Sequence, residues 1–142
     1  MPVRTSEAVW EGDLKDGKGS MRLGSGAWQG SYSFASRFQE AGGTNPEELI
    51  GAAHAGCFSM ALSHGLSQAG HTPKQVRTSA KVHLEKTGDG FRISQIDLNC
   101  DADVPGLDQA TFQKIADDAK HNCPVSKLVT GARIQLEARL VK

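Results

Sequence analysis

A chain of 142 residues, 38% of them hydrophobic, can bury a core as a single domain over residues 1–142 without disulfides or a structural metal. Its 16 basic and 16 acidic residues cancel, and no long run of either sign occurs, which argues against a nucleic-acid surface or a polybasic membrane anchor. No apolar run approaches the ~20 residues that span a bilayer, and the N-terminus lacks an apolar signal core, so we expect a cytoplasmic protein without a membrane partner.

The first third of the chain alternates short apolar segments with glycines. We predict strands over residues 5–10, 20–23 and 28–34, separated by Gly-rich turns.

A strong helix start follows. Asn45 is placed to cap, Pro46 suits the first helical position, and Glu48 completes a pattern that resembles a capping box. Residues 49–69 are poor in charge and rich in Ala and Gly, and Gly70 is a natural stop. A helix that is apolar or small nearly all round is buried on most faces, which favours a dimer with two such helices packed together.

The second half begins with alternating segments around a tight turn at residues 87–90, which predicts a hairpin. An amphipathic helix should follow, with Phe112, Ile115 and Ala119 inward. The predicted elements are strands at 76–86 and 91–104, helices at 107–121 and 124–128, and a strand at 132–141. The fold class is therefore α+β, with antiparallel sheets packed around a long central helix.

Three cysteines are an odd number, which disfavours a secreted disulfide framework. Cys57 lies within the apolar helix, where burial alone would raise its pKa and make it inert, so reactivity requires a nearby cation. Cys123 precedes a proline that opens a helical turn; this cap position favours thiolate, and we expect Cys123 to be less buried than Cys57. Cys100 alternates with Ile96 and Leu98 and is expected to fill the core.

Two charged residues have ordinary explanations when taken alone. Arg37 lies among aromatic residues at the end of a predicted strand, where a surface charge with a buried stem is the default. Glu47 is an acidic residue in the first turn of the long helix, where it stabilises the helix dipole.

Two motifs carry a family resemblance. Residues 44–60, TNPEELIGAAHAGCFSM, closely resemble the OsmC/Ohr family of osmotically inducible and organic-hydroperoxide-resistance proteins, and are closer to its OsmC branch. Residues 122–126, NCPVS, match the family's second cysteine site. The resemblance covers nearly the whole chain, and it implies an intertwined homodimer of α+β subunits that acts as a thiol peroxidase without a metal or cofactor.

The resemblance also implies a role for individual residues. It maps the attacking thiol onto Cys57, the resolving thiol onto Cys123, the arginine that holds the thiolate onto Arg37, and the glutamate that orients this arginine onto Glu47, through a bidentate pair. Cys57 would reduce an organic hydroperoxide to an alcohol and become a sulfenic acid, which Cys123 would convert to a disulfide. An external dithiol, for which a lipoyl-type group is one candidate, would reduce that disulfide.

Substrate preference and site composition follow from the same mapping. Phe38, Phe58 and Met60 are near the mapped residues in sequence, so we expect some of them to line an apolar approach that favours organic hydroperoxides over hydrogen peroxide. Ten residues on one helix separate Glu47 from Cys57 by about 15 Å. We therefore expect Glu47 to act on Cys57 of the partner subunit, whereas the chain that supplies Arg37 is left open.

Two other functions remain open at this point. His54, Cys57, His121 and Cys123 are possible metal ligands, although His-x-Cys is a poor spacing for structural zinc. A non-catalytic dimeric module that binds a small ligand is the other alternative, with Cys57 as a core residue.

Overall fold

The computed structural model describes residues 1–141 as an α+β protein with two small sheets and a long helix. The chain has two compact units, Met1–Leu49 and Ile50–Lys142, and the single domain over residues 1–142 stays a prediction. The elements are β1 Ser6–Glu11, β2 Lys18–Leu23, β3 Gln29–Tyr32, α1 Phe34–Phe38, α2 Pro46–Gln68, β4 Gln75–Thr87, β5 Gly90–Asp103, α3 Gln109–Asn122, α4 Pro124–Leu128 and β6 Arg133–Leu140. Across residues 1–141, each helix is either too short or too polar to span a bilayer.

The first unit contains an antiparallel sheet in the order β1-β2-β3. Gly19 of β2 lies opposite both Trp10 and Tyr32, whose ring centroids are 5.3 Å apart. A Cβ at this position would come within 2.6 Å of both rings, so only glycine lets the two aromatic side chains pack across the sheet. The three predicted strands are confirmed, with one correction at the end of the third.

That correction concerns Arg37, which lies in the short helix α1 and not at a strand end. Strand β3 stops at Tyr32 because Ser33 begins a capping box. The Ser33 hydroxyl accepts a hydrogen bond from the backbone N–H of Ser36 at 3.1 Å, and the Ser36 hydroxyl accepts one from the N–H of Ser33 at 2.8 Å.

Helix α2 begins and ends at the predicted signals. Asn45 caps it, since its Oδ1 accepts a hydrogen bond from the Glu48 N–H at 2.7 Å. The Glu48 carboxylate accepts from the Thr44 hydroxyl at 2.7 Å, which differs from the predicted capping box. Gly70, with φ of 88°, ends the helix, and the His71 N–H donates to the Leu66 carbonyl at 2.9 Å as in a Schellman motif.

The two faces of α2 differ sharply in exposure. His54, Phe58, Leu62 and Leu66 recur every four residues and are fully buried. The opposite face exposes Ala52, Ala53, Gly56 and Met60. That a second copy of the chain covers this face stays a prediction.

The second unit contains the sheet β4-β5-β6. Strands β4 and β5 form the predicted hairpin, with Thr87 opposite Gly90. Strand β6 pairs with β5 in parallel, from Gln95 opposite Arg133 to Ala102 opposite Leu140, so the expectation of purely antiparallel sheets is wrong. The reason is that α3 and α4 carry the chain back to the end of the sheet where β5 began, which is the crossover that parallel strands require.

The core of the second unit lies between this sheet and its helices. Strand β5 buries every second residue, and the buried set on it and on α3 is Ile96, Leu98, Cys100, Ala102, Phe112, Ala116 and Ala119. Phe112 and Ala119 point inward as predicted, whereas Ile115 is half-buried and Ala116 takes the fully buried position. Asp108 caps α3 by accepting from the Thr111 N–H at 2.9 Å, so the helix begins at Gln109, later than predicted.

Candidate active site

Cys57 and Cys123 meet within the second unit. Cys57 lies in the middle of α2, and Cys123 is the single residue between α3 and α4, where Pro124 opens the next helix. Their Sγ atoms are 2.9 Å apart, and both are free thiols. Cys57 is half-buried and Cys123 is fully buried, so the expectation that Cys123 is the less buried one is wrong. Cys123, at the junction of α3 and α4, belongs to the buried core of the second unit, and Cys57 packs against that core.

The two thiols differ in acidity. Burial raises the pKa of Cys57, and the hydrogen bond with Cys123 raises it further. Burial alone would also raise the pKa of Cys123, but hydrogen bonding with Cys57, Ser126 and Val125 lowers it. Within this unit the thiolate is therefore more stable on Cys123, and a thiolate on Cys57 would require a nearby positive charge.

Arg37 and Glu47 form an ion pair within the first unit. The Nε and Nη2 atoms of Arg37 both donate to Oε1 of Glu47, at 3.0 Å and 2.8 Å. The pair therefore differs from the expected bidentate pair: two nitrogens of Arg37 donate to a single carboxylate oxygen of Glu47. Glu47 is buried, and among residues 1–141 its Oε2 has no hydrogen-bond partner. Arg37 also lies over the ring of Phe38, with Cζ 5.4 Å from the ring centroid.

A small hydrogen-bond network sets this pair in place, and sequence analysis missed most of it. The Ser36 hydroxyl donates to the Thr44 carbonyl at 2.7 Å, and the Asn45 amide donates to the Ser36 carbonyl at 3.0 Å. These bonds fix α1, which carries Arg37, against the start of α2, which carries Glu47. The sequence signal for α1 was Ser33-x-x-Ser36, a capping pattern that begins inside the strand predicted over residues 28–34.

An aromatic pocket lies beside Arg37 in the first unit. It has a volume of about 400 Å³ and is lined mainly by Trp10, Tyr32, Phe34, Phe38 and Arg37. Of the three residues expected to form an apolar approach, Phe38 lines this pocket, Phe58 is buried in the core of the second unit, and Met60 is exposed on α2.

The possible metal ligands do not form a cluster. In residues 1–141, no three or more His, Cys, Asp and Glu side chains are arranged to hold a metal ion. His54 is buried and bonds to Ser126, with Nε2 2.8 Å from Oγ. His121 is exposed, and its Nδ1 donates to the Asp117 carbonyl at 2.8 Å. The His54–Ser126 contact was missed because 72 positions separate the two residues.

Cys100 fills the core as predicted. It is fully buried on β5, and burial raises the pKa of its thiol, although a hydrogen bond with Thr78 opposes this. Such a thiol is inert toward oxidants.

Comparisons with known proteins show the family and the fold of this chain. The family model for OsmC-like proteins matches residues 39–138. The chain is 49% identical over 138 residues to peroxiredoxin OsmC of Escherichia coli (strain K12), which covers 96% of each chain. The crystal structure of the organic hydroperoxide resistance protein OhrB of Bacillus subtilis is similar with a TM-score of 0.74 at 26% identity, covering 95% of this chain and 98% of that one. An organic hydroperoxide resistance protein from Elizabethkingia anophelis has a TM-score of 0.78 at 22% identity, covering 99% of each.

Proposed function

This chain belongs to the OsmC family and is a thiol-dependent peroxidase, and from this premise we propose that Cys57 attacks the hydroperoxide and Cys123 resolves the product. The observation that carries the proposal is the distance of 2.9 Å between the two Sγ atoms. Two thiols at that separation need only a small movement to reach a disulfide bond length of about 2.05 Å. Cys57 is assigned the attack because it is the more exposed of the two sulfurs.

The chemistry balances with the two thiols alone. The Cys57 thiolate attacks the terminal oxygen of the hydroperoxide, the O–O bond breaks, and the alkoxide takes a proton and leaves as an alcohol. The Cys123 thiolate then attacks the sulfur of the Cys57 sulfenic acid, and hydroxide takes a proton and leaves as water. The two protons are those of the two thiols. An external dithiol, for which a lipoyl-type group is a candidate, reduces the disulfide by exchange.

Arg37 supplies the positive charge that Cys57 requires, and Glu47 orients it. The guanidinium is held at Glu47 by two hydrogen bonds. Ten helical residues separate Glu47 from Cys57, which corresponds to about 15 Å along α2. The pair from one subunit therefore serves Cys57 of the other, in a composite site at the interface of a homodimer. The exposed small-residue face of α2 and the unpaired Glu47 Oε2, among the residues that the structure describes, support this arrangement.

Organic hydroperoxides are preferred over hydrogen peroxide. The aromatic pocket next to Arg37 can bury an alkyl or aryl group, which contributes roughly 25 cal/mol per Å² of apolar surface. Hydrogen peroxide has no such group. The ratio of kcat/KM for an aryl hydroperoxide to that for hydrogen peroxide measures the preference, and a ratio of one or less contradicts it.

Free thiols counted before and after one equivalent of an alkyl hydroperoxide test the proposal. We expect a fall from three thiols to one, with Cys100 retained. Retention of all three thiols would instead favour a non-catalytic binding module. Stoichiometric zinc in protein purified without chelators would favour the metal alternative.

A further inference from the structure

His54 and Ser126 form a buried contact that the proposed peroxide chemistry does not use. His54 is fully buried on α2, one turn before Cys57, and its Nε2 is 2.8 Å from Oγ of Ser126. Ser126 is the third residue of α4, the helix that Cys123 precedes as N-cap, and hydrogen bonding from Ser126 lowers the pKa of the Cys123 thiol. A continuous chain of contacts therefore runs from His54 through Ser126 to Cys123, and from there to Cys57 at 2.9 Å.

The direction of these hydrogen bonds follows from burial. Burial lowers the pKa of His54, so the imidazole is neutral and carries one hydrogen. Its Nδ1 is buried, and no hydrogen-bond partner for it exists in residues 1–141. A buried N–H without an acceptor is rarer and more costly than an acceptor without a donor, so the hydrogen is assigned to Nε2. Nε2–H then donates to Ser126 Oγ, and the hydroxyl hydrogen of Ser126 is left to point at the Cys123 sulfur.

We propose that His54 is a positioning residue that, through Ser126, holds Cys123 as a thiolate both when the disulfide closes and when it is reduced. The inference rests on the proposed roles of Cys57 and Cys123. On closure, the Cys123 thiolate is the nucleophile: the S–S bond forms as the S–O bond of the sulfenic acid breaks, and hydroxide leaves as water after taking a proton.

On reduction, the same network stabilises the leaving group. Cys57 is the more exposed sulfur of the disulfide pair, so a thiolate of the external dithiol attacks there. A mixed disulfide forms on Cys57, and the electron pair of the broken S–S bond goes to Cys123. The second thiol of the reductant then attacks the mixed disulfide, which oxidises the reductant and releases Cys57. A leaving thiol of lower pKa leaves faster.

The test separates formation of the sulfenic acid from closure of the disulfide. Wild-type protein, His54→Leu, Ser126→Ala and His54→Gln each receive one equivalent of an alkyl hydroperoxide, and quenched samples are treated with dimedone to trap sulfenic acid. We expect His54→Leu and Ser126→Ala to slow closure by about tenfold, the size expected for loss of a hydrogen bond to a charged group. Sulfenic acid should accumulate on Cys57, because its formation is affected less. His54→Gln keeps an N–H donor and should restore closure.

A control variant, a second reaction and a double variant test the inference further. His64→Leu changes an exposed histidine of the same helix and should close at the wild-type rate. Reduction of the disulfide by dithiothreitol should slow in the same variants that slow closure. The double variant His54→Leu/Ser126→Ala should close no more slowly than Ser126→Ala, since the two residues act in series.

Several outcomes would overturn the inference. One is equal slowing of sulfenic acid formation and of disulfide closure, and another is an unchanged closure rate. The others are additive effects of the two substitutions on the closure rate of the double variant, or no recovery of that rate in His54→Gln. If His54→Leu does not fold, Ser126→Ala decides by the same comparison of steps. Failure of the wild-type protein to lose two thiols would overturn the proposed function itself, whatever the variants do.

Discussion

At the scale of single residues, Cys57 and Cys123 lie close enough to compete for one proton. Burial and the bond to Cys123 raise the pKa of Cys57, whereas the hydrogen bonds around Cys123 lower its pKa despite burial. A guanidinium close to Cys57 reverses this preference, because a permanent positive charge stabilises the nearer thiolate. In the proposed mechanism, the charge on Cys57 before the reaction therefore depends on Arg37, and the charge on Cys123 after the attack depends on the neighbours of Cys123.

Replacement of each of the two cysteines should affect a different step of the reaction. Cys57→Ser should abolish consumption of hydroperoxide. Cys123→Ser should still consume about one equivalent and then stall with Cys57 as sulfenic or sulfinic acid. Hydroperoxide consumption and mass spectrometry of Cys57 distinguish the two variants. Steady turnover of Cys123→Ser at the wild-type rate, with a dithiol present, would refute its resolving role.

Replacement of Arg37 should make the reaction depend more strongly on pH. In Arg37→Ala the pKa of Cys57 should rise, so kcat/KM at neutral pH should fall by about tenfold per pKa unit. The rate should recover in part as pH rises, because the thiolate fraction then increases. Arg22→Ala is a matched control, since Arg22 is an exposed arginine of the same unit that pairs with Glu7 at 3.6 Å. An unchanged pH–rate profile for Arg37→Ala would return Arg37 to an ordinary surface charge.

The roles and burial of residues that depend on their neighbours in the sequence were predictable, whereas those that depend on contacts between distant parts of the chain were not. The Asn45 cap and the inward position of Cys100 follow from patterns a few residues long, and both are confirmed. The depth of Cys123 was predicted wrongly, because its position before a proline says nothing about the core that packs around it. Cys57 and Cys123 are 66 positions apart, and only the family resemblance brought them together in advance.

At the scale of elements, the corner between α1 and α2 determines where Arg37 lies. Ser36 is buried at this corner, where its hydroxyl donates to the Thr44 carbonyl and its carbonyl accepts from Asn45. The position of the guanidinium at Glu47 therefore depends on a side chain that touches neither charged group in the hydrogen bonds described.

Ser36→Ala should weaken both stability and catalysis. It removes a helix-capping hydroxyl and leaves the buried Thr44 carbonyl without its donor, which should cost about 1–3 kcal/mol in the free energy of unfolding. Because Arg37 is then less well positioned, kcat/KM should fall at neutral pH and recover in part at higher pH. Ser6→Ala, at an exposed serine of the same unit, should change neither quantity. Denaturant unfolding and the pH–rate profile provide the measurements, and wild-type values for Ser36→Ala would contradict this role for the corner.

Element types were predicted correctly wherever the hydrophobic periodicity agreed with the capping and turn residues. The long helix with its cap and glycine stop and the β4–β5 hairpin are both confirmed. Helix α1 was missed because its five residues are too few to show a helical period, and its capping serines were the only signal. The direction of β6 was missed because strand alternation is the same in parallel and antiparallel pairs, and only the path of α3 and α4 decides it.

At the scale of the whole molecule, the exposed face of α2 has the composition of an interface. Met60 is 77% exposed in the chain, beside the small exposed residues Ala52 and Gly56. Small side chains let a second helix approach closely, and antiparallel packing of two copies of α2 would bring the start of one near the middle of the other. Such an interface has twofold symmetry and forms two equivalent sites.

Complementation between variants tests this arrangement. Homodimers of Cys57→Ser and of Glu47→Ala should both be poor catalysts. In a mixed dimer, Cys57 of the Glu47→Ala chain meets Arg37 and Glu47 of the Cys57→Ser chain, so one of two sites is intact. Random pairing at equal concentrations makes half of the dimers mixed, and we expect about one quarter of wild-type turnover after co-refolding. Mixing Cys57→Ser with Cys123→Ser is the matched control: both thiols of a site belong to one chain, so steady turnover should not return. If co-refolded Cys57→Ser and Glu47→Ala show no activity above the two parents, the site does not cross the interface.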